Sequence, residues 1–232
     1  MHDLTIGMVA ALFLGLTVSA APADQLVVGL MGDSTVSEYK PDSNTRGWGQ
    51  YLGEFLPSAK IINKAEGGMS TKTCLLKDIP GPLLAQTPNY VLIQCGHNDS
   101  HAPNQSDAIT LYKENLRKMI DLCRAAGAIP VLITPVHRRV FEKDGKLSQE
   151  LLPYAQAMKE VAREKKVFLV DLHTSSGKLL EKLGDAGSAD LSCSADDRSH
   201  FSPKGARIMA RLVAEGLQGE KGQLAQQVKI GK

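Results

Sequence analysis

Gly32-Asp33-Ser34-Thr35 follows a short apolar run, Leu26 to Met31, and sets a serine where a strand should give way to a turn. A serine hydroxyl becomes a nucleophile at neutral pH only with a base within about 3 Å. Among the six histidines His200 is the best placed, because Asp197 precedes it by three residues on a turn that leads into a helix start. That spacing lets a carboxylate hold one ring nitrogen while the other faces Ser34. Attack on an ester would create an oxyanion, and donors aimed at that charge lower the barrier by several kcal/mol. The candidate donors are the backbone N–H of Ser34, the backbone of Gly68 and the side-chain amide of Asn98. Taken singly these signals are weak. Asp-x-x-His is more often a surface turn, Gly67-Gly68 also reads as an ordinary loop, and Asn98 as a self-capped turn.

Asp33, His97, Asp99, His101 and His200 are the residues on which a zinc site could be built. These residues lack a tight ligand pattern such as His-Glu-x-x-His, so no metal or organic cofactor is expected. Asp99 and His101 are expected instead to fix the loop that carries Asn98. The four cysteines, Cys74, Cys95, Cys123 and Cys193, contain no Cys-x-x-Cys pair, and the possible pairings stay open.

The elements that must position these groups alternate regularly. Leu26–Met31, Lys60–Ile62, Tyr90–Gln94, Ile129–Thr134 and Val167–Val170 are short, nearly continuous apolar runs of the kind parallel strands show. Between them, helices are expected over Trp48–Phe55, Tyr112–Ala126 and Leu151–Arg163. Ser202 and Pro203 give the clearest helix start, with apolar residues at helical spacing from Ala206 to Leu217. This alternation implies one parallel sheet covered on both faces, with reactive groups at the carboxyl ends of its strands. Three polar clusters follow the first three strands, and Asp197-Arg198-Ser199-His200 precedes the last helix, so four clusters should share one rim.

With 232 residues and 43% apolar composition, the chain suits one α/β domain. Its net charge of +2, without a single-sign run, gives no footprint for nucleic acid or an anionic membrane. Leu4–Val18 followed by Ser19-Ala20-Ala21-Pro22-Ala23 reads as a signal peptide spanning residues 1–23, which implies a secreted or periplasmic enzyme without stable membrane insertion. The catalytic domain is expected over 24–218, and 219–232 as a polar, frayed tail; a monomer is expected.

In combination, the motifs resemble the four ordered blocks of the SGNH (GDSL) hydrolases. GDSTV at Gly32, Gly47-Trp48-Gly49, NKAEGGMS from Asn63, QCGHND from Gln94 and HFSPKGA from His200 are similar, more narrowly, to the rhamnogalacturonan acetylesterase branch. The likeness runs from about Leu26 to Leu217. It implies a flavodoxin-like three-layer α/β/α sandwich around a five-stranded parallel sheet, with Ser34, Asp197 and His200 as the triad. It also implies Ser34, Gly68 and Asn98 as the oxyanion hole, no cofactor, and acetylated polysaccharide or oligosaccharide as substrate. Trp48, His137 and Arg138 become candidate substrate contacts, Arg138 for a uronate. The stretch from Val36 to Trp48, with Glu38, Tyr39 and Arg46, is where such enzymes vary. The absence of Gly-x-Ser-x-Gly disfavours the general α/β-hydrolase fold. Two other readings remain open on sequence alone: a lipid or small aryl ester hydrolase of the same fold, and a catalytically silent glycan-binding protein.

Overall fold

The computed structural model describes residues 25–102 and 104–231; the expected signal peptide lies outside them. Five strands form the sheet: β1 (Val27–Gly32), β2 (Lys60–Asn63), β3 (Tyr90–Gln94), β4 (Ile129–Ile133) and β5 (Phe168–Val170), in the order β2-β1-β3-β4-β5. All four pairings are parallel. Because the strands are covered on both sides, successive residues feed opposite cores, and this is why they read as unbroken apolar runs. Val28, Leu30, Leu92, Val131 and Ile133 enter one core, and Met31, Val91, Ile93 and Leu132 the other.

The first core is covered by α1 (Leu52–Phe55) and α7 (Pro203–Leu217), which bring Leu52, Ala206, Met209, Ala210 and Val213. The second is covered by α2 (Thr71–Leu76), α3 (Pro80–Leu84), α4 (Gln105–Ala125) and α5 (Leu152–Lys165). A sixth helix, α6 (Leu172–Gly187), packs beside α7, and α8 (Gln223–Gln227) closes the chain. The three-layer α/β/α sandwich expected from the sequence is the observed fold.

The local reasons are visible at the termini. The Ser202 hydroxyl accepts from the Gly205 N–H and Pro203 opens α7, the cap and first position read from sequence. Trp48–Phe55 is split into a 3-10 turn (Trp48–Gln50) and the short α1. Helices α2, α3, α6 and α8 lie outside the segments where helices are expected; α6 carries a break at Gly184, with φ +69° and ψ 175°, that blurs its periodicity.

The tail is a correction. Residues expected to fray instead pack: Leu224 is fully buried, Val228 is buried beside it, and the Lys229 N–H donates to the Phe55 carbonyl at 2.9 Å. Two apolar residues at this spacing in a polar segment suffice, because the core between α1 and α7 offers them a matching surface.

Candidate active site

The strand order reverses between β1 and β3, and the loops leaving these strands diverge there to open a crevice at their carboxyl ends. Ser34 sits in the turn after β1. Gly32 must be glycine: a Cβ there would lie 2.6 Å from the Gln94 carbonyl oxygen and 2.6 Å from Val36 Cγ2. The chain then folds back sharply, with the N–H groups of Val36 and Ser37 both donating to the Asp33 carbonyl at 3.1 Å.

The structure brings Ser34, His200 and Asp197 together. Ser34 Oγ lies 2.9 Å from His200 Nε2, and His200 Nδ1 lies 2.8 Å from Asp197 Oδ2. The other Asp197 oxygen accepts the backbone N–H groups of Ser199 and His200, both at 2.7 Å. Burial opposes ionisation of Asp197, yet these backbone donors and the imidazole outweigh it and hold the carboxyl down to about 2. A carboxylate that stays charged fixes the imidazole with a proton on Nδ1, leaving Nε2 free to take the Ser34 proton.

The donor side is built from two loops. Gly68, in the loop between β2 and α2, has φ +76°, a conformation in which a Cβ is strained whatever the space around it. The neighbouring glycine abuts the nucleophile, since a Cβ on Gly67 would lie 4.0 Å from the Ser34 Cβ. Among the described residues, neither the Ser34 nor the Gly68 N–H has an intramolecular acceptor. Asn98 donates one amide hydrogen to the Met69 carbonyl at 2.9 Å. Asp99 accepts from the Thr71 N–H at 3.0 Å and from the Thr71 hydroxyl, tying the same two loops together a second time. Desolvation, aided by the Asp33 charge, raises the Asp99 carboxyl to about 6 despite the Thr71 donors.

Beneath the nucleophile turn runs a buried polar chain. Trp48 Nε1 donates to Gln94 Oε1 at 2.7 Å, Gln94 Nε2 donates to Thr35 Oγ1, and Thr35 Oγ1 donates to Asp33 Oδ1 at 2.7 Å. The other Asp33 oxygen faces His97 Nδ1 at 3.4 Å, outside hydrogen-bond geometry. Burial works against ionisation of Asp33, but His97 and Thr35 together keep its carboxyl below the usual range.

This arrangement places two of the three candidate substrate contacts, Trp48 and His137, in the interior. Trp48 is 1% exposed and braces the nucleophile turn from below. His137 is buried and stacked on His173, with ring centroids 4.5 Å apart. Arg138 is engaged rather than open: Nη1 pairs with Glu150 at 3.1 Å, while Nη2 donates to the His97 carbonyl at 3.2 Å and to His101 Nε2 at 3.0 Å. Short motifs such as Gly47-Trp48-Gly49 carry no sign of which face is buried. Of the five candidate zinc residues, Asp33, Asp99, His101 and His200 are engaged by Thr35, Thr71, Arg138 and Ser34, while His97 faces Asp33, and among the described residues no group of three is placed to hold a metal.

One supporting cluster escaped the sequence. The Arg139 side chain, 6% exposed, donates to Ser192 Oγ at 2.9 Å and to both the carbonyl and the carboxylate of Asp185. Arg198 pairs with the same carboxylate at 2.6 Å, and its carbonyl accepts the Arg139 N–H at 2.8 Å. The segment bearing Asp197 and His200 is thereby fastened from behind. Asp185 follows the break at Gly184, so no helical periodicity pointed to it.

A doubly covered parallel sheet with a serine, an imidazole and a carboxylate in line at its switch point defines a hydrolase of the serine-nucleophile class. The chain belongs to the GDSL-like lipase/acylhydrolase family, which residues 30–208 match, and it is a carboxylic ester hydrolase. It is 37% identical over 197 residues to the probable rhamnogalacturonan acetylesterase YesY of Bacillus subtilis (strain 168), with 81% of this chain and 90% of that protein covered. It is 35% identical over 210 residues to the rhamnogalacturonan acetylesterase RhgT of the same organism, with 82% and 89% covered. The crystal structure of YxiM from Bacillus subtilis superposes with TM-score 0.75 at 28% identity, covering 85% of this chain and 58% of that one. Axe2, an acetylxylan esterase from Geobacillus stearothermophilus, shares the fold with TM-score 0.64 at 20% identity, covering 89% and 97%.

Proposed function

We propose that this chain removes O-acetyl groups from rhamnogalacturonan or a related acetylated glycan, with Ser34 as nucleophile, His200 as general base and Asp197 as its orienting carboxylate. The observation that carries the chemistry is the in-line contact of Ser34 Oγ with His200 Nε2 at 2.9 Å and of His200 Nδ1 with Asp197 at 2.8 Å. Likeness to two rhamnogalacturonan acetylesterases over four-fifths of the chain supports the substrate class.

In this reading His200 takes the Ser34 proton as Oγ attacks the acetyl carbonyl. The N–H groups of Ser34 and Gly68 and the free amide hydrogen of Asn98 stabilise the oxyanion. As the intermediate collapses, His200 gives that proton to the departing sugar oxygen, which leaves as a hydroxyl. Water, deprotonated by His200, attacks the acetyl-serine ester, and acetate leaves as the proton returns to Ser34 Oγ. The apolar, small-residue segment Leu4–Ala23 supports export to the periplasm or medium.

The experiment is acetate release from acetylated rhamnogalacturonan, acetylxylan and a series of 4-nitrophenyl esters of increasing chain length, with Ser34→Ala as control. The expected result is release from the pectic polymer, a steep fall in rate beyond acetyl, and no turnover by the variant. Full activity in Ser34→Ala, or a preference for long acyl chains, overturns the assignment.

A further inference from the structure

Five large apolar side chains are exposed on the described surface, and three of them, Leu76, Leu111 and Leu122, gather on one trough between α2 and α4. Singly exposed leucines need no explanation, but a lined, contiguous apolar surface marks a binding site. The trough has two parts. A cleft of about 250 Å³ lies at the rim beside Ser70, Asn98 and His101, with Ala108 and Leu111 along its far wall. A larger groove of about 650 Å³ continues from it, lined by Leu75, Leu76, Asn115, Lys118 and Leu122. Lys72 borders both and joins them.

Helical spacing makes the trough one feature. Ala108, Leu111, Asn115, Lys118, Leu122 and Ala125 recur at three- and four-residue steps, so they form a single stripe along α4. The stripe is about 25 Å long at 1.5 Å per residue. Its upper end is the loop that carries Asn98, so it begins at the candidate oxyanion donors and leads away from them.

The trough's carboxylates, Asp99 and Asp121, are both engaged, Asp99 by the Thr71 N–H and hydroxyl, whereas its lysines are not. Lys72 and Lys118 are exposed, and among the described residues neither has a carboxylate within ion-pair distance. Asp121, the acidic residue of the groove, is already paired with Lys165 at 2.6 Å. Exposed ammonium groups beside an apolar floor suit a ligand bearing both carboxylates and apolar groups.

We propose that this trough is the polymer track of the enzyme, binding the acidic glycan chain that flanks the acetylated residue. The inference rests on the substrate class proposed above. Rhamnogalacturonan alternates a deoxyhexose, which presents a methyl group, with a uronate, which presents a carboxylate. The leucines receive the methyl groups, and Lys72 and Lys118 the carboxylates. The only tryptophan, Trp48, is buried, so the track uses aliphatic contact rather than indole stacking.

The test compares Leu76→Glu and Lys118→Glu, both fully surface changes, with the unaltered enzyme on acetylated rhamnogalacturonan, neutral acetylxylan and 4-nitrophenyl acetate. The expected result is a rise of about tenfold in KM for the pectic polymer in each variant, with kcat held. Turnover of 4-nitrophenyl acetate stays as in the parent, and Lys118→Glu leaves acetylxylan kinetics in place. The rise in the parent's KM with added salt should be smaller in Lys118→Glu. Unchanged pectic KM in both variants overturns the track while leaving the deacetylase reading standing. Failure of the parent to release acetate from the pectic polymer overturns the track, and failure on acetylxylan as well overturns the deacetylase reading with it. A concentration-dependent dimer in sedimentation that Leu76→Glu abolishes assigns the trough to self-association and also overturns it.

Discussion

Asn98 Nδ2 reaches across to the Met69 carbonyl at 2.9 Å, so the residue expected to stabilise an oxyanion also holds the loop that presents its fellow donor Gly68. One amide hydrogen positions the neighbouring loop, and the second has no acceptor among the described residues. Replacing Asn98 with alanine therefore removes a donor and loosens a second one. The expected outcome is a fall in kcat of about 10² to 10³-fold, with little change in KM for a small acetyl ester. Steady-state kinetics on 4-nitrophenyl acetate check it; a change confined to KM would assign Asn98 to substrate binding instead.

Arg139 acts on the same chemistry from behind. It joins Ser192 and Asp185 and so backs the segment that carries Asp197 and His200. Arg139→Met is expected to lower stability by about 2 kcal/mol and to reduce kcat while KM holds, because the imidazole loses its fixed approach to Ser34. Arg139→Lys should recover part of both. Thermal melts paired with kinetics separate the effects: lost stability with kcat intact would make the clamp purely structural.

Two buried groups give opposed pH dependences. Asp99, raised to about 6 by desolvation, holds a proton that the unfolded chain releases near 3.8, so it lowers stability as pH rises from about 4 to 6. His173, lowered to about 4 by burial and by the stacked His137, stays neutral while the unfolded chain binds a proton, so it raises stability from about 4 to 6.5. In the parent these slopes offset one another. Asp99→Asn removes one, and urea midpoints of the variant should climb steadily between pH 4 and 6.5. A profile parallel to the parent's would show that Asp99 does not titrate in that window. Below pH 4 a further loss is expected as Asp197, held near 2, takes up its proton.

Trp48 supplies a test of the buried polar chain. Trp48→Phe keeps the ring but leaves Gln94 Oε1 without its donor, which costs about 1–3 kcal/mol. Chemical denaturation should show that loss, with glycan KM unaltered. A raised KM at parental stability would return Trp48 to the substrate surface.

Much of this is legible in the sequence alone. The five strand positions follow from apolar runs, since strands buried on both faces leave a local signature, and the Ser202-Pro203 cap marked α7. The polar groups at strand ends were likewise legible, because a parallel sheet gathers them on one rim. Exposure was not. Trp48 and His137 read as outward motif residues and prove buried, and the tail read as frayed though Leu224 anchors it. Local polarity says nothing about which distant surface a segment will meet.

The sequence by itself determined that Ser34, His200 and Asp197 were the residues to watch, through their types, order and spacing. Only the tertiary structure decided that Ser34 and His200, 166 residues apart, stand 2.9 Å from one another. It also decided that Asp185, beyond the break at Gly184, reaches Arg139 and Arg198 behind them. Residue chemistry is written locally, but distance across a fold is fixed by how the sheet and its covering helices pack, and no local pattern carries that information.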